Sequence, residues 1–154
     1  MDVKKVEIIE KYVISEGTRK LTHKQKIKAA EDMFKENYQG KILPYKVLEK
    51  DMFVKINNKT RQNFSAHLKR EGNKAHYDKL SVTIDGNYIK MISNPTYEKT
   101  LKEKKPNQSK THKEGQLYHY FKKAIMIDNQ LYMLIINVAE RTNNCYVHFA
   151  EIKK

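Results

Sequence analysis

The last third of the chain constrains the fold most. Leu117 to Ile127 and Gln130 to Ala139 are long runs rich in β-branched and aromatic residues, joined by the dipeptide Asp128-Asn129. Such a pair tolerates the positive backbone angles that a two-residue hairpin turn requires. A third run, Cys145 to Ile152, follows the turn Arg141 to Asn144. The pattern predicts a three-stranded antiparallel meander. A two-residue first turn sets Tyr120 opposite Asn137 and Phe121 opposite Ile136, and a four-residue second turn sets Asn137 opposite His148 and Ile136 opposite Phe149.

Because successive side chains alternate along a strand, this register separates two faces. One carries Phe121, Ile125, Ile127, Tyr132, Leu134, Ile136, Val138, Val147 and Phe149, with His119 near its end, and is the expected core face. The other gathers Tyr118, Tyr120, Lys122, Asn137, Tyr146 and His148 at one end, and Ala124, Met126, Leu131, Met133, Ile135, Ala150 and Ile152 at the other. A cation, an imidazole, phenols and an amide converging on one sheet end are the groups that a phosphodiester site needs. An ordinary solvated sheet end is the competing reading. A bulge would reverse the parity of one strand and put His119, in place of His148, on the exposed face.

Upstream, Val6, Ile9 and Tyr12 or Val13 fall at helical spacing over residues 3–14, closed by Gly17. Thr22 followed by Gln25 has the form of a capping box, and Ile27, Ala30, Phe34 and Tyr38 then repeat every three or four residues until Gly40, which predicts a helix over 22–39. After a break at Pro44, Val47 to Ile56 reads as one strand. Thr60 is placed to cap a helix running to about Arg70, with Phe64 and Leu68 as its buried pair and Gly72 as its stop. Residues 77–93 fit a helix through Tyr77, Leu80, Ile84 and Tyr88, or a hairpin turning at Asp85-Gly86; the helix is preferred. Residues 99–116, rich in lysine and without an apolar period, read as a long mobile loop. The expected fold class is therefore α+β: N-terminal helices packed with a C-terminal antiparallel sheet made of the meander and one earlier strand.

Charge narrows the partners. The 154 residues hold 31 Lys and Arg against 18 acids, for a formal charge of +13. Eleven of the thirteen excess charges fall in residues 53–80 and 99–123. A field localised in this way attracts polyanions, with RNA or DNA the natural first partner and an anionic membrane or an acidic protein as other users of the same field; the bland alternative is a solubilising lysine surface. Fifteen Tyr and Phe are too many for a disordered basic tail. No stretch is apolar and long enough to span a membrane, and nothing at the start resembles a signal peptide. The single Cys145 excludes an internal disulfide and a cysteine zinc site, so a cytoplasmic working place and no membrane partner are expected.

Neither a glycine-rich phosphate loop nor a nucleophile-elbow serine is present, and the acids are scattered, so no cofactor and no metal are expected. Chemistry open to His, Lys, Arg and Tyr remains: RNA cleavage by its own 2′-hydroxyl. A base takes the 2′-OH proton, an acid protonates the leaving 5′-oxygen, and cations stabilise the phosphorane. Imidazole, titrating near neutrality, suits both proton transfers. Arg61, His67 and Lys69 lie on or beside the helix near residue 60, with His76 just beyond it. A structural role competes for both His67 and His76; His23 and His112 read as structural or solvated.

Lys59-Thr60-Arg61, the stretch Asn63 to Leu68, Ile92-Ser93-Asn94-Pro95-Thr96-Tyr97, and Tyr118-His119-Tyr120-Phe121-Lys122-Lys123 at the head of the meander together resemble the phage and mobile-element nuclease domains of the barnase, EndoU, colicin and RelE type (BECR), found in large polyvalent proteins and MuF-like toxins. The similarity covers roughly residues 50–154. It implies a metal-independent endoribonuclease toxin domain with its site on the sheet face. By that resemblance His67 is the helix-borne acid or base, and Tyr120 and Lys122 are first-strand substrate contacts.

The expected organisation is a helical N-terminal extension over 1–45, followed by a nuclease-like domain over 46–154. The expected catalytic set is His67, His148, Tyr120 and Lys122, with Arg61, Lys69, His76, Tyr118, Asn137 and Tyr146 binding phosphate or RNA. Expected partners are RNA or DNA, and a cognate antitoxin or other acidic protein. The alternatives to catalysis are a non-catalytic nucleic-acid-binding module and a protein that binds an acidic host partner.

Overall fold

A computed structural model describes residues 9–68, 74–102, 116–141 and 144–153. The predicted meander is present as β5 (Leu117–Ile127), β6 (Gln130–Arg141) and β7 (Asn144–Lys153). Asp128 and Asn129 both adopt positive φ, 48° and 66°, so the turn is the two-residue type and Tyr120 does face Asn137. Arg141 pairs directly with Asn144, which makes the second turn two residues shorter than expected while preserving the register beside it.

That register then shifts. Val138 faces Val147, but Asn137 faces Phe149, so His148 is the extra residue of a β-bulge. The sequence-based assignment of faces is corrected beyond this point. Ala150 and Ile152, 4% and 2% exposed, join the core opposite Ile136 and Leu134, and Phe149 is only half-buried. The bulge falls after the Tyr146–Val147 pairings, so His119 stays on the core face and is buried.

The sheet is larger than the expected four strands. Seven strands among the described residues form one mixed sheet, in the order β1–β5–β6–β7–β3–β2, with β4 also paired to β5. Strand β1 (Glu10–Tyr12) runs parallel to the end of β5 where a helix was expected. Burial alternates from this strand into the extended residues after it, Lys11 exposed, Tyr12 buried, Val13 79% exposed and Ile14 buried, which is the period of a strand. A short helix α1 (Glu16–Arg19), capped by Ser15, includes Gly17 rather than stopping at it. The single strand expected after Pro44 is the second half of a hairpin, β2 (Ile42–Val47) and β3 (Lys50–Lys55), turning at Leu48 with φ 58°. Pro44 is tolerated because β2 is an edge strand of the sheet order. Strand β4 (Thr96–Lys102) takes the start of the expected lysine loop; residues 103–115 of that loop lie outside the described residues.

Helix α2 (His23–Met33) has the predicted reciprocal capping box between Thr22 and Gln25, and continues as a π-turn over Phe34–Tyr38. Helix α3 (Asn58–Leu68) is capped by Asn57, whose Oδ1 accepts the Thr60 backbone N–H at 3.0 Å; Thr60 sits inside the first turn rather than at the cap. Helices α4 (Lys74–Ile84) and α5 (Tyr88–Ile92) settle residues 77–93 as helical, with Gly86 at φ 89° between them. Phe34, Tyr38, Phe64 and Tyr88 form one aromatic cluster, with ring centroids 4.7 to 6.1 Å apart. Each such side chain removed from water contributes about 1.5–3 kcal/mol. The cluster draws on residues either side of position 45, and that position itself falls inside β2.

Candidate phosphodiester-binding cleft

The site begins at an incomplete strand pairing. Strand β3 meets β7 in parallel at Lys55 opposite Tyr146. Past that point, helix side chains take the backbone carbonyls along the edge of β7. Thr60 Oγ1 donates to Val147 O at 2.5 Å, Asn63 Nδ2 to His148 O at 2.7 Å, and Lys79 Nζ to Ala150 O at 2.6 Å. Buried carbonyls must find donors, and these three side chains substitute for a neighbouring strand. Thr60 and Asn63 thereby dock α3, and Lys79 docks α4, against the bulged segment that carries His148.

Between α3 and the outer sheet face lies a cleft of about 540 Å³, lined by Asn57, Lys59, Asn63, Gln116, Tyr118, Arg141, Tyr146 and His148. None of the described residues lining it is acidic, so Lys59 and Arg141 set a positive potential in it. The His148 ring stands 5.7 Å from that of Tyr118, near T-shaped, and 6.3 Å from that of Tyr146. Tyr118 faces Ala139, which in turn faces Tyr146, so a small residue separates two phenols in one row. Arg141 Nε donates to Gln116 Oε1 at 3.1 Å, which braces the guanidinium at the cleft wall.

Of the ten residues singled out in the sequence, Tyr118, Tyr146 and His148 line this cleft. Tyr120 and Asn137 are neighbours of one another further along the same face, and Lys99 Nζ lies 5.4 Å from the Tyr120 ring centre. Lys122 is elsewhere. It is four residues beyond Tyr118 on β5, about 13 Å at strand spacing, ion-paired to Glu98 at 2.6 Å, and lines a separate hollow with Glu10 and Asn94. Arg61 donates to Asn58 Oδ1 at 2.6 Å within α3, and His76 is half-buried in the first turn of α4. His67 lies on α3 one turn after Asn63, its side chain outside the described set, as is all of Lys69. Sequence reasoning missed Asn57, Lys59, Gln116 and Arg141 as site residues. Their convergence depends on α3 meeting β7, and no local pattern signals it.

A second imidazole occupies the opposite face. His119 is 5% exposed. Its Nδ1 bonds Thr100 Oγ1 at 2.8 Å and its Nε2 bonds Glu140 Oε1 at 3.1 Å, while Tyr97 extends the chain to Thr100 at 2.6 Å. Beside Glu140, burial first and the neighbouring carboxylate second push the Cys145 thiol up to about 11, which keeps it protonated and un-nucleophilic at neutral pH. Glu140 and Cys145 border a larger hollow of about 1000 Å³ under the β2–β3 hairpin. Lys50 and Lys55 there are offset by Glu49, Asp51 and Glu140, so that hollow lacks the cationic character of the His148 cleft.

Among the described residues, no three His, Cys, Asp or Glu side chains gather as a metal-binding group, and no helix is long and apolar enough to cross a membrane. Comparison with family models, with curated proteins and with solved structures finds no match.

Proposed function

We propose that this chain is a metal-independent endoribonuclease-like domain that takes a phosphodiester of RNA into the His148 cleft. The observation that carries this reading is the placement of one imidazole, two cations and two phenols in a single cleft free of acids among its described lining. Lys59 and Arg141 offset the phosphate charge, and the Tyr118 and Tyr146 rings meet the base or ribose. Attack by the adjacent 2′-hydroxyl forms a new P–O bond and breaks the P–O5′ bond. The products are a 2′,3′-cyclic phosphate and a 5′-hydroxyl. The 2′-OH proton passes to a base, and the leaving oxygen gains one from an acid. His148 and His67 are the proposed imidazoles. Lys122 is proposed only as a more distant contact, because Glu98 already pairs it.

The test is digestion of single-stranded RNA by the purified chain in excess EDTA, with the fragment ends analysed. Cyclic-ended fragments are expected; intact RNA would overturn catalysis. One observation favours a second reading, binding without turnover: His148 is the one imidazole among the described residues lining the cleft. Intact RNA that still shifts in a gel, with affinity falling steeply as salt rises, would favour that reading.

A further inference from the structure

We propose that Asn63 is a positioning residue that holds His148 as its Nε2–H tautomer and so assigns it the donor side of the chemistry. This rests on the reading of the cleft given above, and it narrows the role of one residue in it. His148 O accepts from Asn63 Nδ2 at 2.7 Å. A carbonyl cannot accept from the amide oxygen of Asn63, so this bond fixes which way the amide faces. The same Nδ2 lies 3.3 Å from His148 Nδ1. An amide nitrogen carries two N–H groups and no lone pair able to accept. Nδ1 must therefore be the acceptor, and the ring proton sits on Nε2.

The bulge supplies the rigidity this needs. His148 is the extra residue between Val147 and Phe149, and the carbonyl bonds from Thr60 and Lys79 on either side hold the backbone that carries it. A neutral ring held in this form gives a hydrogen bond from Nε2 to a phosphoryl oxygen and cannot accept the 2′-OH proton there; it passes a proton to the leaving 5′-oxygen only after Nδ1 has taken one up in place of the Asn63 bond, since a neutral ring would be left as imidazolate. The base of the proposed cleavage is then a different group.

The test is a long-range proton–nitrogen NMR correlation on the 15N-labelled full chain, comparing wild type, Asn63→Ala and Asn63→Asp. The expected result is an Nε2–H pattern for His148 in wild type, a mixture of tautomers in Asn63→Ala, and a shift toward Nδ1–H in Asn63→Asp, whose carboxylate accepts rather than donates. His119, bonded to Thr100 and Glu140 on the other face, reports that each variant is folded by keeping its own pattern. An Nδ1–H pattern in wild type, or a His148 pattern unmoved by Asn63→Ala in a folded chain, would overturn the proposal. If a variant fails to fold, the wild-type pattern decides. RNA cleavage in the same samples reads the nuclease assignment separately. A fixed Nε2–H tautomer with uncut RNA removes the catalysis and leaves the role of Asn63 standing. With cleavage present, Asn63→Ala is expected to lower kcat at least about tenfold with KM little changed.

Discussion

His119 and His148 lie on opposite faces of the same three strands, and their surroundings differ in kind. His119 sits between Thr100 and Glu140, which bond its two ring nitrogens, with Tyr97 bonded behind Thr100 and the side chain almost fully buried. His148 sits on a bulge, its Nδ1 held by Asn63, and lines a cleft with Lys59 and Arg141. The same residue type is thus a structural connector on one face and a candidate reactive group on the other. What separates them is strand parity. A bulge one residue pair earlier in β7 would redraw that division.

The largest effect is expected at His148. Replacement His148→Ala is expected to reduce RNA cleavage by about 10²–10⁴-fold, the usual span of a lost acid–base group, with the melting temperature little changed. Equal activity in the variant would remove His148 from the mechanism. The mirror experiment is His119→Ala, which leaves Thr100 and Glu140 without their shared partner. Its expected cost is about 1–3 kcal/mol of stability in a denaturant titration, with cleavage per folded molecule retained.

Lys79 tests the scaffold that both faces share. Its ammonium is buried, with Phe149 and Phe64 ring centres 4.3 and 5.1 Å from Nζ, and burial lowers its pKa to about 7. Between about 7 and the ordinary lysine value the unfolded chain binds more protons than the folded one. Stability therefore rises with pH across that window, and the contribution is lost as pH falls toward 7. Lys79→Met is expected to flatten this slope in unfolding curves measured from pH 6 to 10, and to be about 1–3 kcal/mol less stable than wild type at the alkaline end, where the lysine is uncharged in both states and Ala150 O loses its donor. A slope that survives the substitution would show that Lys79 is not its source.

The smallest effects concern phosphate contacts. Lys59→Ala and Arg141→Ala should each reduce the salt dependence of RNA binding by about one unit of slope, whereas Lys122→Ala, already neutralised by Glu98, should change it less. The reverse ranking would move the RNA path to the far end of the sheet face.

Local signals made part of this structure legible in advance. Thr22 and Gln25 announced α2, and Asp128-Asn129 set the β5–β6 register that brought Tyr118, Tyr120 and Asn137 to one face. The parts that escaped depend on distant partners. Glu10–Tyr12 is a strand only because β5, more than a hundred residues later, offers an edge to pair with. The bulge at His148 has no glycine to mark it, and it moved Ala150 and Ile152 into the core. At the site, Tyr118, Tyr146 and His148 followed from alternation, whereas Asn57, Lys59, Gln116 and Arg141 converge on them through the docking of α3 against β7, a tertiary event. Leu48 at φ 58° hid the β2–β3 turn for a similar reason, since a leucine gives no turn signal.

The most direct measurement sets His148→Ala beside His119→Ala and wild type on single-stranded RNA in excess EDTA, counting 2′,3′-cyclic ends per folded molecule. The account predicts wild-type levels for His119→Ala and a loss of about a hundredfold or more for His148→Ala. Cleavage that persists in His148→Ala and disappears in folded His119→Ala would contradict it, and would place the chemistry on the opposite face of the sheet.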